Sequence, residues 1–274
     1  MPSAAVRLLG RALITSALLV YGSLGLACET DRIDDRSRVA WVYDGDTIRL
    51  EDGRKIRLVG INTPETGRGK RPAQAGAEQA AQRLRQIIDA HDGQIAVRFG
   101  EDRYDRYDRI LAHLYTPEGQ SIGATLIREG HAAAVTVPPN TWNADCYYSA
   151  EDTAREQKRG IWKTGSLGPS LSRELSRDSR GFHIVRGRVI RVGHSRSATW
   201  LNLEGDVALR ISEADKFYFP DNDWDNLKDQ VIEARCWIYS HKDQLRIKIR
   251  HPRTLRILNQ TDSPLDDTGT TTNE

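Results

Sequence analysis

Three short polar clusters carry side chains that could do chemistry: Asp44-Gly45-Asp46-Thr47, Arg57 with Asn62-Thr63-Pro64-Glu65, and Asp105-Arg106-Tyr107-Asp108-Arg109. Singly each has a bland reading, because Asp-Gly is common turn chemistry and an Arg beside an Asp at a strand end is usually a solvated pair. Together they hold oxygen donors for a hard cation, a carboxylate that can orient a water, and two guanidiniums that can neutralise a pentacoordinate phosphorus. Those are the parts of phosphodiester hydrolysis.

Such groups must be held by something stiff. Val39 to Leu50 reads as strand, turn, strand, and Glu51-Asp52-Gly53-Arg54 turns the chain into a further strand over Lys55 to Ile61. From Pro72 to Asp89 the apolar residues Ala77, Ala80, Ala81, Leu84, Ile87 and Ile88 recur at helical spacing. Strands are expected over Ile95 to Phe99 and Ile110 to Tyr115. Two more helices are expected over Ser121 to Glu129 and Ala150 to Arg159, stopped by Gly130 and Gly160. His113, alone on its strand, reads as structural, and the six tryptophans read as core or rim.

Past Trp162 the periodicity fades, and residues 165–180 read as a linker. Residues 181–259 then alternate strongly through Val185, Val189 and Val192, Trp200 to Leu203, Val207 to Ile211, Val231 to Tyr239 and Leu245 to Arg250. This predicts a second, five-stranded, all-β domain of OB-like type. It carries 14 basic against 10 acidic residues and no catalytic constellation. In Leu245-Arg246-Ile247-Lys248-Ile249-Arg250 the cations Arg246, Lys248 and Arg250 share one face, which suits a strand of nucleic acid about as well as it suits plain solvation. Residues 260–274 form a polar tail with Asp262, Asp266, Asp267 and Glu274 and no base, and are expected to be disordered.

The composition is that of a globular protein, with 38% apolar and 28% charged residues; the formal net charge is +2, which permits a polyanionic partner without demanding one. Residues 1–27 read as a secretory signal peptide, with Arg7 and Arg11 ahead of an apolar run and the small residues Gly25 and Ala27 before Cys28. A permanent anchor is disfavoured by the shortness of that run, and lipidation at Cys28 by Gly25, where bacterial lipoproteins carry Leu, Val or Ile. Export makes the three cysteines informative. Cys236 lies in a strand-like run as a small hydrophobe, so Cys28 with Cys146 is the preferred disulfide; three free thiols are the alternative.

The clusters Asp44-Gly45-Asp46-Thr47, Arg57-Leu58-Val59-Gly60-Ile61-Asn62-Thr63-Pro64-Glu65-Thr66 and Asp105-Arg106-Tyr107-Asp108-Arg109, with the closing Arg159-Gly160-Ile161-Trp162, resemble the thermonuclease family, the staphylococcal-nuclease-like domains, over residues 38–164. The resemblance implies a mainly β (α+β) fold: an OB-type five-stranded barrel with three helices and a calcium-dependent phosphodiesterase site on one face. It makes Asp46, Asn62 and the carbonyl of Thr63 the Ca2+ ligands and Glu65 the residue that orients or deprotonates water. Arg57 and Arg109 then hold the phosphate, and Tyr107 lies beside the nucleotide. Two positions depart from the pattern. Asn62 stands where Asp is usual, which predicts weaker calcium binding, and Asp108 stands where Gly is usual, so its carboxylate either competes for Arg109 or supplies charge. Asp102-Arg103-Tyr104-Asp105-Arg106 repeats the motif three residues early, but the strand Ile110 to Leu114 directly after Arg109 favours Arg109.

The expectation is therefore a secreted or periplasmic, monomeric, calcium-dependent endonuclease acting on DNA, with RNA as a second candidate. The alternative is a noncatalytic nucleic-acid or polyanion binder on a degenerate barrel.

Overall fold

The computed structural model describes residues 28–67, 69, 72–219 and 223–259; the segments read as signal peptide and acidic tail lie outside the described residues. The first half contains strands β1 (Asp35–Asp44), β2 (Thr47–Leu50), β3 (Lys55–Leu58) and β4 (Ile61–Asn62), helix α1 (Ala77–Asp89), β5 (Gln94–Tyr104) and β6 (Ile110–Tyr115). Then come α2 (Ile122–Arg128), β7 (Ala133–Ala134), α3 (Ala144–Glu156) and the single turn α4 (Ile161–Thr164).

Strands β1-β2-β3-β6-β5 close into a barrel in which β3 and β6 run parallel. Alternation decides which residues enter it: Ile48, Leu50, Ile56, Leu58, Ile110, Ala112 and Leu114 fill the interior, while Arg49, Lys55 and Arg57 face outward. Helix α1 lays its apolar stripe on the barrel with Ala80, Ala81 and Leu84 fully buried. Helix α2 is capped by Ser121, whose hydroxyl accepts the Ala124 N–H at 3.2 Å.

Some boundaries move from the sequence expectation. Strand β1 starts at Asp35, and β5 continues to Tyr104 through charged residues. Helix α3 starts six residues earlier than Ala150, because burial of Tyr147 and Tyr148 and the disulfide from Cys146 to Cys28 outweigh the weak helix propensity of Asp145 to Ser149. Gly160 has φ 47° and packs against Gly130 so tightly that a Cβ would lie 2.1 Å from the Gly130 carbonyl oxygen; the Arg-Gly-Ile-Trp motif is a backbone-to-backbone contact.

The second half holds β8 (Ser170–Leu171), β9 (Gly181–Ser195), β10 (Ala198–Leu203), β11 (Val207–Ser212), β12 (Val231–His241), β13 (Gln244–Lys248) and β14 (Leu255–Ile257). Strands β9-β10-β11-β13-β12 close through a β12–β9 pairing, with β11 and β13 parallel. The strand order is that of the first barrel. The segment read as a linker is ordered: β8 runs parallel to β9, and Leu167 and Ser172 are buried.

A shared apolar cluster joins the halves, setting Ala133, Val135 and Ile161 against Phe182 and Ile184. Beside it lies a buried ion network. Arg235 donates to both Glu151 oxygens at 2.6 and 2.7 Å and to Glu233 at 3.0 Å, while Arg155 reaches Glu151 at 2.8 Å and Glu233 at 3.0 Å. Arg186 adds a bond to Glu233 at 2.9 Å, and the Ala134 N–H donates to Glu151 at 2.6 Å. Burial alone would raise the Glu233 carboxyl, but Arg155, Arg235 and Arg186 pull it down to about 2.

Candidate active site

The first cluster is built on the turn between β1 and β2. The Asp44 carboxylate accepts the Asp46 N–H at 3.1 Å, and a Cβ on Gly45 would come within 2.7 Å of both Ala80 and Thr63. Only glycine lets this turn pack between α1 and the chain after β4. Strand β4 is itself pinned by β7, through Ile61 with Ala134 and Asn62 with Ala133, which sets Asn62 and Thr63 beneath the turn.

Asp46 is 5% exposed, and Asn62 and Thr63 are each 2% exposed. One Asp46 oxygen, Oδ2, accepts the Thr63 N–H and hydroxyl, each at 3.0 Å, and takes the Arg57 guanidinium at 2.9 Å. Arg57 is held in turn by the carbonyls of Leu58 at 2.8 Å and Ile61 at 3.2 Å, and donates to Asn62 Oδ1 at 3.3 Å. Burial raises the Asp46 carboxyl to about 7, against the pull of Arg57 and with added repulsion from Asp44.

Three of the predicted ligands therefore meet. The Asp46 carboxylate and the Asn62 amide oxygen both contact the Arg57 head group, and the Thr63 carbonyl accepts a 3.3 Å bond from the Asn62 amide nitrogen, so the three oxygen donors lie in one cluster. That chemistry fits a hard cation. It is thin in charge: among the described residues no group of three His, Cys, Asp or Glu side chains converges on one point.

Arg109 stands at the head of β6, one residue before Ile110, which pairs with Ile56 of β3, so it approaches the same outer face as Arg57. Asp105 grips it in a two-pronged pair, Nε and Nη2 each at 2.7 Å, and also accepts its backbone N–H at 3.0 Å. Asp108 faces solvent with φ 56°, the left-handed conformation that explains glycine in the family pattern and that Asp tolerates better than most residues. The carboxylate on Arg109 is thus that of Asp105. Tyr107 is 64% exposed, with its hydroxyl accepting from Arg106 at 2.7 Å, so Arg106 serves the tyrosine.

Glu65 lies two residues beyond Thr63, exposed, and its carboxylate has no partner among the described residues. Its backbone is fixed on both sides by Gln74: the Glu65 N–H donates to Gln74 Oε1 at 2.8 Å, and the Glu65 carbonyl accepts the Gln74 N–H at 2.9 Å. His113 is buried; desolvation, with Arg98 adding to it, lowers it to about 3, and Nδ1 bonds the Tyr147 hydroxyl at 2.9 Å, so it stays neutral and structural.

Arg246, Lys248 and Arg250 belong to the other barrel and do not join this cluster. Arg250 diverges from its neighbours by pairing with Asp215 at 3.1 Å. Sequence reasoning missed Gln74, as well as Glu151, Glu233 and Arg235 of the ion network, whose partners lie far apart along the chain.

Barrel, buried oxygen cluster and paired arginines together define a staphylococcal-nuclease-like domain. A family profile described as staphylococcal nuclease homologue matches residues 55–164. The chain is 35% identical to endonuclease YncB of Bacillus subtilis (strain 168) over 124 residues, which is 43% of this chain and 57% of that protein. It is 32% identical to an uncharacterized endonuclease of Escherichia coli over 140 residues, covering 50% of this chain and 82% of that protein. With the thermonuclease of Staphylococcus intermedius the identity is 28% over 137 residues, 49% and 80% of the two chains. The chain belongs to the staphylococcal nuclease family. It spans about half the length of the two Bacillus endonucleases it matches, 57% and 41%, and the family profile ends at residue 164, before the second barrel.

Proposed function

We propose that this protein is a calcium-dependent endonuclease that hydrolyses phosphodiester bonds of DNA, and of RNA as well, after export. The observation that carries the reading is the contact of Asp46, Arg57, Asn62 and Thr63 in one buried cluster, with Arg109 on the adjoining strand. Asp46, Asn62 and the Thr63 carbonyl would hold the cation, which supplies Lewis-acid stabilisation of phosphate charge when bound.

The chain's own residues do the rest. Arg57 and Arg109 bind the scissile phosphate and meet the negative charge that builds as phosphorus becomes pentacoordinate. Asp105 fixes the plane of Arg109, so little rotamer entropy is lost on binding. Glu65, whose carboxylate has no partner among the described residues, accepts a proton from the attacking water as the P–O bond to the leaving oxygen breaks. Tyr107 presents an exposed ring with the Arg109 guanidinium 5.6 Å from its centre. The Cys28–Cys146 disulfide supports an oxidising compartment.

Asn62 favours the second reading, a binder that has lost hydrolysis. The deciding experiment is hydrolysis of single-stranded DNA, duplex DNA and RNA with excess calcium and with a chelator, beside Glu65→Gln. Metal-dependent cleavage that disappears in the variant supports the enzyme. Strand binding without cleavage at any calcium concentration would overturn it in favour of the binder.

A further inference from the structure

The second barrel presents on its outer face a set of groups that the proposed hydrolysis does not use. In β10, Trp200 points outward opposite Arg210 of β11, and Arg210 in turn is opposite Lys248 of β13. The Arg246 guanidinium sits 4.7 Å and that of Arg210 5.8 Å from the centre of the Trp200 ring. On the other flank Trp200 pairs with Gly193 of β9, where even an added Cβ would meet nothing within 4 Å, and a groove of about 300 Å³ opens there, walled also by Arg191. Farther across the sheet Tyr239 of β12 is opposite Arg246 and carries Lys248 at 5.7 Å over its ring.

The charges on this face share one condition: Arg191, Arg210, Arg246 and Lys248 have no ion pair among the described residues, whereas the neighbouring Arg235 and Arg250 are each bound to a carboxylate. Arg210 donates only to the Ser197 carbonyl at 3.4 Å and Arg246 only to the neutral Gln244 at 3.2 Å. At the rim Asp225 is taken by His194 at 3.1 Å. Four cations with no counter-charge among the described residues, held around a tryptophan beside an open groove, make a positive field with an aromatic surface inside it.

From these we infer that the outer face of the second barrel is a docking track for single-stranded nucleic acid, with one base stacking at Trp200 in the groove over Gly193 and a second at Tyr239. Arg191, Arg210, Arg246 and Lys248 then neutralise the phosphates between them. Trp200 and Tyr239 are three strand spacings apart, about 14 Å, so one base cannot contact both and the track takes a short run of nucleotides. The charge selects a polyanion; the tryptophan beside an open groove selects one with exposed aromatic faces, which a duplex keeps stacked inside. This rests on the nuclease reading only in supposing that the strand held here is the one delivered to the first barrel.

The test is fluorescence anisotropy of the full chain, in chelator so that no cleavage intervenes, with three labelled probes: a 20-nucleotide oligothymidylate, an abasic phosphodiester chain of the same length, and a duplex. The wild-type protein should hold the oligothymidylate about ten-fold more tightly than the abasic chain. Trp200→Ala should narrow that difference to the share that Tyr239 supplies and leave abasic affinity unchanged, Trp200→Phe should restore most of it, and Trp200→Ala with Tyr239→Ala should abolish it. Arg246→Ala should weaken both single-stranded probes and flatten the salt dependence.

Equal binding of thymidylate and abasic chains by the wild type would overturn the proposal and leave a phosphate-only surface. Duplex binding as tight as single-strand binding would overturn it too. Should Trp200→Ala fail to fold, as judged by its melting curve, the probe comparison on the wild type and Arg246→Ala still decide. A protein that cleaves but whose thymidylate affinity ignores Trp200 refutes this inference alone; one that binds through Trp200 but never cleaves refutes the nuclease reading alone.

Discussion

The third strand of each barrel carries an arginine on its outer face, Arg57 on β3 and Arg210 on β11, and each reaches the turn between the barrel's first two strands. In the first barrel that turn is Asp44-Gly45-Asp46, and Arg57 meets a carboxylate at 2.9 Å. In the second it is Ser195-Arg196-Ser197, and Arg210 meets a backbone carbonyl at 3.4 Å. Strand order, parallel pair and closure are the same. The loops and turns decide which arginine is held by a carboxylate and which meets only a backbone carbonyl, so the scaffold alone fixes neither role.

The sharpest way to break this comparison is to remove one arginine from each barrel. Arg109→Ala and Glu65→Gln are expected to lower the turnover number by roughly a hundred-fold or more, since in the proposed hydrolysis each acts on the transition state. Arg210→Ala should leave hydrolysis of a dinucleotide, too short to span both barrels, at the wild-type rate. Steady-state kinetics on that substrate reads both. If Arg210→Ala slows the dinucleotide as much as Arg109→Ala does, the two barrels are not divided in this way.

Between the barrels, Glu233→Gln should destabilise the chain by about 3–5 kcal/mol, because it leaves Arg186 without a carboxylate and Arg155 and Arg235 sharing Glu151 alone. The linkage has a definite sign. The Glu233 carboxyl lies at about 2 in the folded chain against 4.5 ordinarily, so its contribution is complete above 4.5 and disappears as the pH falls through about 2. Denaturant unfolding of wild type and variant should therefore converge across that acid range. Replacing Cys28 and Cys146 by Ser should cost about 2–5 kcal/mol, given the 118-residue separation they close, and thermal melting with and without reductant measures it.

Smaller effects sharpen the first barrel. Asn62→Asp adds a carboxylate to the oxygen cluster and should lower the calcium concentration for half-maximal cleavage by about ten-fold. Asp108→Gly relieves a left-handed backbone at φ 56° and should raise stability by about 0.5–1 kcal/mol, with no change in calcium dependence. Equal calcium requirement in Asn62→Asp would remove position 62 from the ligand set.

Much of this architecture is legible along the chain because it is local. The alternation of Ile48, Leu50, Ile56 and Leu58 with Arg49, Lys55 and Arg57 states which way each strand faces, and the Asp-Gly-Asp turn names its own glycine. What escapes is non-local. The start of α3 is set by Tyr147 and Tyr148 finding a core and by a cysteine far away, against local propensity. Segment 165–180 lacks periodicity, yet it is ordered because β9 offers an edge to Ser170 and Leu171. Arg235 looks like any strand cation until Glu151, 84 residues away, comes within 2.6 Å. Trp200, read by type as core or rim, is turned outward because Leu201 and Leu203 hold the inward phase of β10, a local signal; the cations that surround it come from other strands.

The bridge from Cys28 to Cys146 also settles a question of valence. A divalent sulfur already bonded to its own Cβ and to the Cys146 sulfur has no bond left for a thioether, so a lipid-modified Cys28 and this tether of α3 exclude one another atom for atom. A chain carrying acyl-glycerol there would present a free Cys146 thiol beside Asn143, with its helix released from the segment before β1. One mass spectrum of the peptide that contains Cys28, taken without reduction, distinguishes a molecule fastened to a bilayer from one fastened to itself.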